Sequence, residues 1–138
     1  MSKVLIVDDE PDVLLLLRVN MEAAGYETTL AADGETALRR IEEEGPDLVL
    51  LDIMMPVMDG WGVLRELSSR TDTPLVVVVS AKSSDRDIVR ALTSGAHEYV
   101  TKPFDPDHLV HIVERVLASN VEELEAMRRR MIERCGGV

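Results

Sequence analysis

The sequence predicts an α/β fold: a five-stranded parallel sheet, doubly wound, with helices on both faces. Three observations carry that prediction. Short apolar runs alternate with segments of helical spacing five times over. Two of the runs are apolar without alternation, as strands covered on both faces must be. Right-handed βαβ crossovers then leave a parallel, doubly wound sheet as the compact arrangement.

The elements follow in order. Val4–Val7 reads as the first strand. Pro11 opens the first helix, where a missing N–H costs nothing, and Val13, Leu16, Leu17 and Met21 make its apolar stripe. Gly25 stops it ahead of a second strand at Thr28–Ala31. Ala37, Leu38 and Ile41 mark the second helix, which Gly45 ends, and Pro46 precedes the strand Leu48–Leu51. Val63, Leu64 and Leu67 stripe the third helix, and Pro74 precedes the fourth strand, Leu75–Val79. Ile88, Val89 and Leu92 form the fourth helix, closed by Gly95, and the weaker run Tyr99–Thr101 is the fifth strand. Leu109, Ile112, Val113 and Val116 complete the fifth pair.

The 138 residues suit one domain, and an apolar fraction of 46% suffices for a core. Aromatics are only 3%, so that core is aliphatic. A net charge of −11 argues against direct nucleic-acid binding and against an anionic membrane, and favours a basic partner or a cation site. The single cysteine, Cys135, allows no disulfide within the chain. No secretory leader and no run near the ~18 apolar residues of a membrane span are evident, so a cytoplasmic protein is expected.

In such a sheet, ligands bind beyond the carboxyl ends of the strands. Asp8, Asp9 and Glu10 follow strand one, Asp52 follows strand three, Ser80 ends strand four, and Lys102-Pro103 follows strand five. Clustered carboxylates repel by roughly 4 kcal/mol per pair at ~4 Å and an effective dielectric of ~20, so a cation must hold them. Lys102 is one candidate, and a hard divalent ion such as Mg²⁺ is the other. Capping of the following helices explains any one Asp, but poorly explains Asp8, Asp9 and Asp52 together with Lys102. A flavin site would want a phosphate-cradling loop after strand one, and a Walker A loop is absent. A phosphatase of the haloacid-dehalogenase type would need a second Asp two residues beyond the nucleophile, where Met54 stands.

Four motifs add a resemblance: VLIVDDE at 4–10, LVLLDIMMPVMDG at 48–60, VVVVSAK at 76–82 and GAHEYVTKPF at 95–104. In this order and spacing they closely resemble the receiver domain of two-component response regulators, from about Lys3 to Ala118. The resemblance implies a flavodoxin-like, CheY-like topology and a phosphoprotein. Asp52 would accept a phosphoryl group from a histidine kinase or phosphotransfer protein. Asp8, Asp9, Asp52 and the backbone carbonyl of Met54 would hold Mg²⁺. Lys102 and Ser80 would contact phosphoryl oxygens, and Tyr99 would be the switch aromatic that moves inward. Met54 and Lys82 would tune the kinetics, and Pro103 would follow a cis peptide. The expected output is a change in the face formed by helix four, strand five and helix five, with no turnover of a separate substrate. The alternative is a small aspartyl-phosphate phosphatase.

The sequence divides at about residue 118: a receiver domain over 1–118 and a helical extension or linker over 119–138. Val110, Val113, Leu117, Asn120, Leu124, Met127 and Met131 alternate in steps of three and four, with Val121 beside them. This pattern predicts a heptad seam with one polar position, and a parallel homodimer through it and through the face of helix four, strand five and helix five. His108 and His111 are read as solvated or packing residues, and His97 as a surface residue. Trp61 is expected near the acidic site or in a simple packing role.

Overall fold

A computed structural model describes residues 1–136. The elements are β1 (Lys3–Val7), α1 (Pro11–Ala23), β2 (Glu27–Ala31), α2 (Gly34–Glu44), β3 (Leu48–Leu51), α3 (Gly60–Ser68), β4 (Leu75–Ser80), α4 (Asp85–Thr93), β5 (Glu98–Thr101), α5 (Pro106–Ala118) and α6 (Val121–Arg134). The strands form one parallel sheet in the order β2-β1-β3-β4-β5. β1, β3 and β4 lie inside and are almost wholly buried, which is why their sequences do not alternate.

Each face of the sheet carries its own core. Leu5, Val7, Val49, Leu51, Val76 and Val78 pack with Ala37, Val63, Leu64 and Leu92. Val4, Ile6, Leu48, Leu50, Val77 and Val79 pack with Leu17, Met21, Leu109 and Val113. Neighbouring strand residues thus point to opposite faces, and both faces are sealed by helices.

The order reverses at β1–β3, because the chain leaves β1 toward β2 and returns to β3 on the other side. A crevice opens at the carboxyl ends of the strands at such a point. The carboxyl end of β1 therefore lies beside that of β3, and β4 and β5 follow in line.

The continuous heptad seam does not form. The helix breaks after Ala118: Ser119 is extended, and Asn120 is the N-cap of a separate α6. The Asn120 side chain accepts from the Glu123 N–H at 2.8 Å, and the Glu123 carboxylate accepts from the Asn120 N–H at 2.9 Å. This reciprocal cap satisfies two groups that a continuous helix would have paired differently. α6 then folds back against α4 and β5. Leu124 is buried, Met127, Met131 and Ile132 pack on the two cores, and Val121 is left 75% exposed. The apolar side expected to meet a second copy is used within the chain.

Candidate functional site

The acidic cluster is built by strand ends. The ladder continues one residue past β1 and β3: the Asp8 N–H donates to the Ala31 carbonyl at 3.1 Å, and the Asp52 N–H to the Val7 carbonyl at 3.0 Å. Asp8 and Asp52 are therefore fixed as firmly as the strands, and they are only 2% and 4% exposed. One Asp8 carboxylate oxygen accepts from the Glu10 N–H at 2.9 Å, and one Asp52 oxygen from the Met54 N–H at 3.2 Å. The second oxygen of each carboxylate takes the Lys102 ammonium, at 2.7 Å from Asp8 and 3.2 Å from Asp52. The Lys102 N–H donates to the Ser80 carbonyl at 2.8 Å, which ties the lysine to the end of β4. The Lys102–Pro103 peptide is cis.

Burial raises the Asp52 pKa above the usual carboxylate range, and the charge of Asp8 adds to the rise; Lys102 and the Met54 N–H oppose both. Burial works against the charge of Lys102, yet its bond to Asp8 and the charges of Asp52 and Asp8 outweigh it and raise its pKa. The result is a desolvated carboxylate at the end of β3 whose counter-charge is the Lys102 ammonium, aided by the Met54 N–H.

The loop after β3 holds Asp52 in place. A Cβ on Gly60 would lie 2.5 Å from the Asp52 carbonyl oxygen and 2.6 Å from the Ile53 Cα, so only glycine lets α3 start this close. The Gly60 N–H donates to the Ile53 carbonyl at 2.8 Å, and Asp59 caps α3 by accepting from the Gly62 N–H at 3.0 Å. Between them Val57 sits at φ +67°, a left-handed conformation costly for a β-branched residue.

Ser80 is fully buried, and its hydroxyl oxygen accepts from the Lys82 N–H at 3.2 Å. Tyr99 is already inside, 6% exposed, and its hydroxyl donates to the Lys82 carbonyl at 2.6 Å. Burial raises its pKa, with the Ser80 hydroxyl acting the other way. Met54 is more than half exposed beside the site.

The carboxylates of Asp8, Asp9 and Glu10 offer oxygens that all lie within 4.8 Å of one another. These are hard oxygen donors of the kind Mg²⁺ prefers. The sequence places Glu10 beside Asp8 and Asp9 at this edge, but the expected metal ligands did not include it; it also lies 3.9 Å from the Lys102 ammonium. Asp52 stands across Lys102 from this group.

Comparison with known proteins decides the family. A profile described as "Response regulator receiver domain" matches residues 4–114. The chain belongs to the response-regulator receiver family. This receiver is 40% identical over 116 residues to the alkaline phosphatase synthesis transcriptional regulatory protein PhoP of Bacillus subtilis, covering 84% of this chain and 48% of that protein. It is 40% identical over 122 residues to the DNA-binding response regulator MtrA of Mycolicibacterium smegmatis, covering 88% and 53%. The chain thus spans about half the length of these curated relatives. Among solved structures, a CheY-like receiver domain protein from Methanospirillum hungatei superposes with a TM-score of 0.80 at 30% identity, covering 91% of this chain and 98% of that one.

Trp61 takes the packing role that was one of its two expected placements. It carries the Arg90 guanidinium 3.9 Å from its ring centroid and packs on the core under α4. His97 is not a free surface residue: its Nδ1 accepts from the Val76 N–H at 3.1 Å. Burial and the nearby Arg128 push its pKa down to about 4. Sequence reasoning also missed the pair between Glu98, buried on β5, and Arg115 on α5 at 2.9 Å. A lone charged residue at the start of a short apolar run gives little signal of its partner. No helix among the described residues is long and apolar enough to cross a membrane.

Proposed function

We propose that this receiver is a phospho-accepting switch whose acceptor is Asp52. The observation that carries the reading is the Lys102 ammonium bridging Asp8 and Asp52. An Asp52 carboxylate oxygen attacks the phosphorus of a phosphohistidine on a sensor kinase or phosphotransfer protein. The new O–P bond forms as the N–P bond breaks, and the imidazole leaves with its electron pair. Lys102 offers its charge to the transferring oxygens at a site where water is largely excluded. The Ser80 hydroxyl donates to another phosphoryl oxygen once the acyl phosphate has formed.

Asp8, Asp9 and Asp52, with the Met54 carbonyl, would hold Mg²⁺, and Glu10 extends that donor set. The ion would supply positive charge against the phosphoryl oxygens. Leu15, Leu16 and Val19 on α1, with Met54 and Val57 after β3, are exposed apolar side chains on segments that begin at the site. They offer contact area to the phosphodonor. The chain catalyses its own transfer and slow hydrolysis rather than turning over a separate substrate. Met54 and Lys82 set how long the acyl phosphate lasts, and a cytoplasmic location fits this partner. The output is a change in the face formed by α4, β5 and α5.

The test is Asp52→Asn. With Mg²⁺ and acetyl phosphate, the parent chain gains one phosphoryl group by intact-protein mass spectrometry and the variant gains none. A variant that still gains one has another acceptor, and the assignment fails.

A further inference from the structure

We infer that α6 is a displaceable cover over the α4–β5 side of the receiver, docked while Asp52 is unmodified and released when Asp52 carries a phosphoryl group. The inference rests on the proposed role of Asp52. It goes beyond that role by giving the segment after residue 118, which lies outside the family match, a regulatory task.

α6 is seated on more than one element. Leu124 and Met127 pack on the core that contains Val100 and Val116, and Met131 and Ile132 pack on the core that contains Ala91, Leu92 and Tyr99. Arg128 fastens the middle: its Nε donates to the Ala96 carbonyl at 3.0 Å, and one terminal nitrogen to the Gly95 carbonyl at 3.3 Å. Those two carbonyls lie in the turn between α4 and β5. At the end of α6 the Cys135 thiol feels the charge of Asp85, the first residue of α4. A strap fixed to α4, to β5 and to the turn between them fits one relative placement of those elements. Any shift of α4 against β5 costs it contacts.

The proposed chemistry acts where α4 is hung. The β4–α4 loop is held by the Ser80 hydroxyl oxygen at the Lys82 N–H and by the Tyr99 hydroxyl at the Lys82 carbonyl. When Ser80 turns its hydroxyl to a phosphoryl oxygen on Asp52, that loop re-forms and α4 moves with it. Tyr99, whose hydroxyl holds that loop, lies in the same cluster as Met131 and Ile132. α6 is fitted to the arrangement in which Lys102 bridges the two aspartates, and the modified arrangement disfavours it. A ligand shifts such an equilibrium only by its differential affinity for the two states, and the coupling is reciprocal.

Cys135 is the only cysteine and reports docking directly. Burial and Asp85 hold its pKa above the ordinary thiol value, which slows alkylation because the thiolate is the nucleophile. The experiment uses the whole chain with Mg²⁺, with and without acetyl phosphate. Intact mass reads the phosphoryl group, iodoacetamide reads Cys135, and hydrogen exchange reads residues 124–132. The expected result is an alkylation rate about tenfold higher on the phosphorylated chain, within the usual range of coupling, with faster exchange along α6. A phosphorylated chain whose Cys135 rate and α6 exchange are unchanged overturns the inference alone. A chain that takes no phosphoryl group overturns the reading of Asp52 and the inference with it. Arg128→Ala, which alters one partly exposed side chain, should label quickly without phosphorylation. It should also bind fluoroberyllate with Mg²⁺ more tightly by the same factor, whereas unchanged fluoroberyllate affinity in a fast-labelling variant refutes the coupling.

Discussion

Replacing Lys102 by methionine removes the charged ammonium but keeps an unbranched side chain that reaches to Cε. Its ammonium lies 2.7 Å from Asp8 and 3.2 Å from Asp52, with the lysine side chain 14% exposed. At 3.2 Å the attraction to Asp52 alone is about 5 kcal/mol at an effective dielectric of ~20, before desolvation is subtracted. The two carboxylate oxygens that share the ammonium are roughly 6 Å apart or less, and without it they repel by about 3 kcal/mol. Removing one partner from a buried pair costs about 3–5 kcal/mol. A domain of this size is stable by about 5–15 kcal/mol, so the variant should fold. Its urea midpoint should fall by roughly 2 M, for a slope of ~2 kcal/mol/M. Acid should relieve the loss. The Asp52 pKa is already raised, and removing the cation raises it further. The native variant therefore binds more protons than its unfolded chain between the unfolded and folded pKa values, and its stability rises as pH falls through that window. Lys102 itself has a raised pKa, so its contribution in the parent chain is present below the unfolded lysine value and lost as pH rises through the folded one. The variant lacks that alkaline loss. Urea unfolding followed by circular dichroism from pH 4 to pH 8 measures the acid limb. A Lys102→Met chain as stable as its parent, or one whose deficit does not shrink in acid, refutes the charge balance argued for this site.

Other perturbations test its parts. Gly60→Ala forces a Cβ into the backbone of Asp52 and Ile53, and should cost about 2 kcal/mol or more in urea unfolding. It should also slow phosphoryl uptake by displacing Asp52, the proposed acceptor, and a variant normal in both respects would contradict the close approach. Val57→Gly relieves a left-handed β-branched residue and should gain about 1 kcal/mol in thermal or urea unfolding; a loss would mean that the side chain packs in the loop. Asp9→Ala should weaken Mg²⁺ binding by calorimetry with little change in stability, because Asp9 is exposed. Unchanged affinity would leave Asp8, Glu10 and Asp52 as the donors.

The inner strands were legible because a strand buried on both faces has one simple signature, as in Leu48–Leu51 and Leu75–Val79. The crevice residues were legible for a related reason: topology alone brings the carboxyl ends of β1, β3, β4 and β5 together. Heptad spacing is less informative. It shows that one side of a helix is apolar, not what that side meets, and so the residues now packed on α4 and β5 read equally well as a seam between two copies. The corrective signal was local. Asn120 followed three residues later by Glu123 is a helix start, and it competes with the reading of Asn120 as a polar seam position. His97 and Glu98 escaped because their partners, Val76 and Arg115, are distant in sequence and carry no pattern that points to them.

The lysine that joins the two aspartates has a kinetic consequence for refolding. Asp8 and Lys102 are separated by 94 residues and Asp52 and Lys102 by 50, so neither contact can form within a local segment. Both wait on closure of long loops of chain and on correct placement of the last strand. Helices and the first strand pair can form early in a refolding chain, but the proposed competence to take up a phosphoryl group cannot. Uptake of label during refolding would therefore act as a clock for completion of the sheet, running behind the recovery of helical signal. A truncated nascent chain that lacks β5 would carry every carboxylate of the site without the cation that holds them.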